Sequence, residues 1–173
     1  MTAMQASTRK TLAFVVVFSL AALAQFAVLL ATPVRPLVDG FSGDLAAVSA
    51  WLIHSSGGNC LRHAAILSNP ARNFAMEVRD GCNGINVVVL LWSAILAYPA
   101  SLKWRLLGVT AGLAAIQLLN LFRLISLFYL GQYNHSLFEF AHEYLWELLI
   151  IIDGIVVFNL WIRQASKRSV RAR

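Results

Sequence analysis

Residues 11–31 read TLAFVVVFSLAALAQFAVLLA, a run of 21 positions without a charged side chain. At 1.5 Å per residue, a helix over this run is about 30 Å long, which matches the hydrocarbon thickness of a bilayer. The run is also longer than the hydrophobic part of a signal peptide, which is usually about 7–15 residues. We therefore predict a retained transmembrane helix, with a cleaved signal peptide as the alternative.

The composition of the whole chain agrees with a lipid environment. The 173 residues are 59% hydrophobic and 13% charged, with a mean hydropathy of +0.69, whereas soluble domains carry about 25% charged residues. Three further apolar runs predict helices at about residues 84–100, 106–130 and 144–162. We predict an all-α integral membrane protein, a single membrane domain over residues 1–173 with about four transmembrane helices.

The basic residues predict the orientation of these helices. With the N-terminus in the cytoplasm, nine Lys and Arg fall on the inner side and four fall in the outer segments, namely Arg35, Arg62, Arg72 and Arg79. The positive-inside rule then puts both termini in the cytoplasm and residues 32–83 in an extracytoplasmic loop. Because the basic residues flank helices, we expect no nucleic acid partner, and we expect the tail at 166–173 to contact anionic membrane lipid.

The loop at 32–83 contains two segments with predicted structure. Residues 44–53 are apolar but too short to span a membrane, so we predict a helix at the interface with Trp51 at headgroup level. Residues 63–67 and 74–79 are short mixed runs on either side of a segment rich in turn formers, 68–73. This pattern is typical of a small hairpin.

Cys82 lies in the sequence Asp80-Gly81-Cys82-Asn83-Gly84, directly before the second predicted helix. A cysteine in an apolar protein can be simply a small buried hydrophobic residue. The flanking glycines, however, permit tight turns and close approach of a substrate. At a helix N-terminus the dipole favours the thiolate, and a neighbouring cation would lower the pKa of the thiol further. Cys82 is therefore a candidate nucleophile.

Arg123 lies seven residues before the outer end of the third predicted helix, so it is about 10 Å deep on the same side as Cys82. A charge in the membrane is costly and requires an explanation. One explanation is an ion pair with Glu147, which falls at a similar depth on the fourth helix. The other is a guanidinium held in a dry pocket to stabilise a developing oxyanion.

His142 lies just before the fourth predicted helix, again on the outer side. It can be an interfacial residue that binds water or headgroups, or it can serve a nearby thiol as general base and acid. His135 is the competing histidine, although its surroundings are typical of a loop tip. Glu143 or Glu139 could orient the imidazole, and the sequence does not decide between them.

The remaining polar residues favour structural roles. Gln117 and Asn120 on helix three fall at the depth of Asp153 on helix four, which predicts hydrogen bonds between these two helices. Cys60 is expected to be a free thiol, since a disulfide with Cys82 would silence the nucleophile. His54 and His63 have no companion ligands at a metal-binding spacing. We predict no metal and no organic cofactor.

Three blocks of the sequence resemble the exosortase/archaeosortase family and are most similar to the subgroup called exosortase H. They are RDGCNGI at 79–85, NLFRLISL at 120–127 and FAHEYLW at 140–146, within a similar region of about residues 74–161. The resemblance implies Cys82 as nucleophile, Arg123 as transition-state stabiliser and His142 as acid and base. We interpret four neighbours as supporting residues: Asn83, Asn120, Glu143 and Glu147.

The resemblance also implies a function. It predicts a cysteine transpeptidase or protease in the bacterial cytoplasmic membrane, with its site on the extracytoplasmic face and a thioester on Cys82. Its substrates would be exported proteins that end in a short motif, a hydrophobic helix and a basic tail. Many members of the family have about eight helices, so this chain would be a minimal form. The alternatives are a membrane scaffold and a thiol–disulfide oxidoreductase, although the chain has no Cys-x-x-Cys pair.

Overall fold

The structure is a computed structural model that describes the backbone of residues 3–171 and the side chains of residues 7–167. Its helices are α1 (Ala3–Leu30), α2 (Arg35–Ser55), α3 (Ile85–Ala97), α4 (Leu102–Tyr133), α5 (His135–Phe140) and α6 (Trp146–Arg171). Its strands are β1 (Leu61–His63), β2 (Ile66–Asn69) and β3 (Phe74–Glu77). A π-helical segment, Ala141–Leu145, joins α5 to α6. Residues 168–173 of the predicted basic tail lie outside the described side chains.

Three stretches of the described chain are long and apolar enough to cross a membrane: Ser7–Leu30, Leu102–Tyr133 and the continuous helical stretch His135–Lys167. A fourth apolar helix, α3, has 13 residues and is therefore about 20 Å long. The prediction of an all-α integral membrane protein is confirmed, with a small sheet in addition. The last two spans start or end several residues beyond the predicted ranges 106–130 and 144–162.

The helix predicted at 84–100 ends earlier, at Ala97, because of Pro99. A residue before proline is disfavoured in the helical conformation, and Tyr98 is extended with ψ 136°. The backbone carbonyl of Tyr98 accepts a hydrogen bond from Arg105 Nη2 (3.2 Å), and the Tyr98 side-chain hydroxyl lies 2.9 Å from Ser166 Oγ. These contacts join Tyr98 to α4 and to α6 at the point where the chain leaves α3.

The membrane half is packed around α3. Its core combines apolar residues of α3, α4 and α6, namely Val88, Leu91, Ile95, Ile116, Trp161 and Ala165. Gly108 on α4 allows close approach of the Trp161 ring, which would lie 2.4 Å from an added Cβ. On the opposite side, Gln25 of α1 donates a hydrogen bond to Ser93 of α3 (2.7 Å).

The second half, which we call the cap, consists of α2 and a three-stranded antiparallel sheet in the order β1-β2-β3. The hairpin predicted from 63–67 and 74–79 corresponds to β2 and β3, with Leu67 opposite Met76. The first predicted run is divided, however: β1 ends at His63, and Ala64 takes a positive φ of 51° to turn the chain into β2.

The cap helix α2 covers Arg35–Ser55, which is twice the length predicted at 44–53. Pro36 suits its first turn, where no backbone hydrogen bond is lost. One face of α2, including Leu45 and Ile53, is buried in the cap core, so this helix is packed into the cap. Trp51 remains 66% exposed.

The helix α4 joins the two halves. Its inner turns pack in the membrane half, whereas Leu124, Leu127 and Phe128 are fully buried in the cap core together with Ile53 and Leu67. The predicted site residue on α4, Arg123, therefore lies at the junction of the two cores.

Candidate active site

The structure brings Cys82, Arg123 and His142 together. The Cys82 Sγ atom lies 2.8 Å from His142 Nε2 and 3.9 Å from Arg123 Nη2. The thiol comes from the loop between β3 and α3, the guanidinium from α4 and the imidazole from the π-helical segment. A thiol, a potential general base and a cation thus meet at one point, which is the arrangement that nucleophilic catalysis by cysteine requires.

The loop that carries Cys82 has a backbone shape that depends on glycine. Gly81 and Gly84 have φ values of 87° and 73°, in the left-handed region that glycine adopts without strain. Between them, the Asn83 amide donates to Ser42 Oγ and to Asp80 Oδ1, both at 3.3 Å, and its oxygen accepts from the Ile85 N–H at 3.1 Å. Asn83 is buried, so it positions the loop between α2 and the start of α3.

Two side chains of α4 hold the same loop from the other side. Arg123 Nη1 donates to the Gly81 carbonyl and Gln117 Nε2 donates to the Asn83 carbonyl, each at 3.2 Å. The predicted bonding of Gln117 to Asp153 is therefore wrong, because the Gln117 amide donates toward the loop. The two carbonyls that flank Cys82 are fixed by residues almost two turns apart on one helix.

Asn120 lies between Gln117 and Arg123 and is completely buried. Its amide has no hydrogen-bond partner in the described structure, so its predicted contact with helix four is not formed. It packs against the loop instead, where a Cβ on Gly84 would lie 3.3 Å from Asn120 Cγ. Asn120 supports the loop by contact.

Arg123 is buried, with 3% of its surface exposed. The ion pair considered with Glu147 is not formed: within the described side chains, the ion pairs closer than 4 Å join Arg79 to Glu77 and His135 to Glu139. The guanidinium is instead directed to the loop carbonyl and to the thiol. Among the described side chains, no carboxylate pairs with this guanidinium beside the sulfur.

His142 is held by an aromatic ring. Its imidazole stacks on Phe138, with ring centroids 5.7 Å apart and an angle of 21°. In the described structure, neither Glu143 nor Glu139 hydrogen-bonds to the imidazole, so neither carboxylate orients it as predicted. Glu139 pairs instead with His135, at 3.3 Å. The His135 side chain is 75% exposed, which leaves His142 as the histidine next to the thiol.

A cavity of about 450 Å³ opens at this cluster. Its lining consists of Asp80, Gly81, Cys82, Arg123, His142, Glu143, Tyr144 and Glu147. Of the four residues predicted to support the site, Glu143 and Glu147 line the cavity, whereas Asn83 and Asn120 do not. Sequence reasoning missed Tyr144, Asp80 and Ser42. Asp80 and Tyr144 lie inside the sequence blocks 79–85 and 140–146. Ser42 on α2 has no sequence signal, because only the fold brings it near Asn83.

The electrostatics of Cys82 differ from the sequence expectation. Burial raises the pKa of the Cys82 thiol above its ordinary value, and the Glu147 carboxylate adds to this, while the Arg123 guanidinium acts in the opposite direction. The expected lowering of the pKa is therefore wrong, because removal of the thiolate from water outweighs the nearby cation. The resting sulfur is a thiol, and it needs a base to become a nucleophile.

A pH profile of alkylation tests this electrostatic account. In a Cys60→Ala background, the rate of Cys82 alkylation by iodoacetamide should rise with pH, with a midpoint above the value of about 8.5 for a free thiol. Because Arg123 lowers and Glu147 raises the pKa of Cys82, Arg123→Gln should move the midpoint up and Glu147→Gln should move it down. A midpoint below that of a free thiol would indicate a preformed thiolate and contradict this account.

Comparison with known families places the chain. The fold and the site define a class of protein: a helical membrane protein that brings a thiol, an imidazole and a guanidinium together at one edge. The model of the family described as transmembrane exosortase (Exosortase_EpsH) matches residues 2–162. The chain belongs to the transmembrane exosortase family, and it is a multi-pass membrane protein of the exosortase, sortase-like transpeptidase type. No match was found among curated proteins or among solved structures.

Proposed function

We propose that this chain cleaves C-terminal sorting signals of exported proteins through a thioester on Cys82. The observation that carries the proposal is the 2.8 Å distance between Cys82 Sγ and His142 Nε2, with the buried Arg123 guanidinium on the same sulfur. Family membership supports the transpeptidase type of reaction. The roles of the three residues follow from their chemistry at these distances.

In the first step, His142 Nε2 takes the proton of the Cys82 thiol as the sulfur attacks the scissile carbonyl carbon. The carbon–oxygen double bond becomes a single bond, and its electron pair forms an oxyanion. Arg123 lies beside the sulfur and supplies the positive charge that stabilises this oxyanion. The raised pKa of Cys82 makes the base necessary, since little thiolate exists at neutral pH.

In the second step, the protonated His142 donates its proton to the departing amine nitrogen as the carbon–nitrogen bond breaks. The hydrophobic helix and basic tail of the substrate leave with that amine, and the N-terminal part stays on Cys82 as a thioester. An amine or a water molecule then attacks the thioester carbonyl carbon and gives its proton to His142. The carbon–sulfur bond breaks, and the departing Cys82 sulfur takes that proton back as a thiol, which completes transpeptidation or hydrolysis. For the exosortase H type, the expected motif begins Ile-Pro-Thr-Leu.

The proposal includes an orientation in the bacterial cytoplasmic membrane. The cap and the candidate site would lie on the extracytoplasmic face, with both termini in the cytoplasm. The excess of Lys and Arg at the opposite end of the helices supports this orientation. An exported substrate would then present its motif to the cap while its hydrophobic helix still spans the membrane.

Trapping of the thioester tests the proposed function. The membrane-embedded chain is incubated with an exported reporter that ends in Ile-Pro-Thr-Leu, an apolar helix and a basic tail. A covalent adduct on Cys82 that hydroxylamine releases is expected, identified by mass spectrometry of the Cys82 peptide. The same preparation of Cys82→Ala is the control. If the reporter never forms an adduct with Cys82, or if the Cys82→Ala control cleaves it equally well, the result would favour a membrane scaffold.

A further inference from the structure

A second cavity, of about 610 Å³, lies between the first half of α2 and the β2–β3 hairpin, and we call it the cap cleft. Residues of its two sides include Asp39, Gly40 and Gly43 on α2 and Ala65 and Val78 on the hairpin. Asp80 lines both the cap cleft and the cavity at Cys82. The two cavities therefore adjoin at the loop that carries the thiol.

The glycines of α2 have no explanation in the packing of the chain itself. Gly40 and Gly43 lie in the helix interior with ordinary helical φ values, and nothing lies within 4 Å of a Cβ added at either position. Glycine weakens a helix relative to alanine, so the helix alone would favour a larger residue at both positions. A side chain there would enter the cap cleft, so glycine at both positions leaves the helix backbone open to the cleft.

We propose that the cap cleft binds the extended substrate segment on the N-terminal side of the scissile bond. This inference depends on the proposed function, in which that segment stays attached to Cys82 as the acyl group. The hydrophobic helix on the other side of the bond must lie in the membrane, beside the apolar half of the molecule. The cap cleft belongs to the cap and shares Asp80 with the cavity at the thiol, so it is placed for the acyl side.

The lining of the cap cleft also selects the chemistry of this segment. Glu77 is neutralised by Arg79, whose Nε lies 2.6 Å from its carboxylate. The carboxyl groups of Asp39 and Asp80 also line the cleft, and Asp80 Oδ1 accepts a hydrogen bond from the Asn83 amide. The segment that binds there should carry no acidic side chain and should have small residues where it passes Gly40 and Gly43.

Filling the cap cleft tests the inference by kinetics. Gly43→Leu improves the helix propensity of α2 but places a side chain in the cleft, so KM for the reporter should rise about tenfold with kcat unchanged. Val48→Leu, on another face of α2 and outside the cleft lining, should change neither constant. Unchanged alkylation of Cys82 in the glycine variant shows that it is folded. An unchanged KM in that folded variant would overturn the inference.

Cross-linking separates this inference from the proposed function, because it needs no catalysis. In a Cys60→Ala, Cys82→Ala background, Gly43→Cys should form a disulfide with a reporter cysteine placed upstream of the scissile bond and not with one placed downstream. Val48→Cys is the matched control. If the unmodified chain cleaves the reporter but the upstream cross-link is absent or equals the control, the inference is wrong and the proposed function stands. If the unmodified chain forms no thioester while the cross-link forms, the proposed function fails alone.

Discussion

Cys82→Ala and His142→Gln should each lower the rate of sorting-signal cleavage by at least about 10⁴-fold, and the double variant should be no slower than the slower single variant. The physical reason is that the two groups act as one unit. Burial keeps Cys82 protonated at rest, so without the imidazole at 2.8 Å the sulfur has no base. Without the sulfur, the imidazole has no proton to take.

Cleavage of the exported reporter, followed by the loss of its hydrophobic tail, measures this effect. The matched controls are Cys60→Ala and His135→Gln, which should retain most of the activity. Cys60 forms no disulfide and does not line the cavity at Cys82. The His135 side chain is 75% exposed and pairs with Glu139. A large loss in His135→Gln with normal cleavage in His142→Gln would reverse the assignment of the base.

Arg123→Lys should lower kcat by about 10²–10³-fold with little change in KM, the usual loss when one oxyanion donor is removed. Lysine keeps the positive charge, but it lacks the planar fork of arginine. In the native chain, Nη1 binds the Gly81 carbonyl while Nη2 lies at the thiol. A single ammonium group at the end of a flexible stem cannot maintain both contacts.

The steady-state constants of the reporter reaction measure this second effect. Arg62→Lys is the control, because Arg62 is exposed and donates only to the nearby Ala64 carbonyl. Cys82 alkylation in Arg123→Lys should remain measurable, which shows that the loop is still in place. If Arg123→Lys instead retained kcat and lost substrate binding, Arg123 would be a binding residue and its proposed role would be wrong.

The membrane helices were predictable because their signal is local. A run such as 11–31 is apolar throughout, and lipid leaves the backbone no alternative to a helix. The grouping of Cys82, Arg123 and His142 at one edge was also predictable, because each falls near the outer end of a predicted helix. Helix ends depend on single residues, and the effect of Pro99 on Tyr98 shortened α3.

The contacts around Cys82 were not predictable from the sequence. Gln117 could have faced α6 or α3, and only the packing of the helices decides that its amide reaches the Asn83 carbonyl. The pKa of Cys82 was assigned the wrong direction for a similar reason. A nearby cation is visible in a motif, but the extent of burial depends on how α2, α4 and the loop pack together.

The continuity of α4 has a consequence for how the molecule unfolds. The same helix binds the loop that carries Cys82 through Gln117 and Arg123, and it buries Leu124, Leu127 and Phe128 in the core of the cap. Unfolding of the cap would therefore release the end of the helix that holds the guanidinium in place. The cap and the loop that carries Cys82 should lose their structure in one cooperative transition. A change deep in the cap core would then reduce the population of molecules in which Cys82, Arg123 and His142 are assembled, without contact with the thiol.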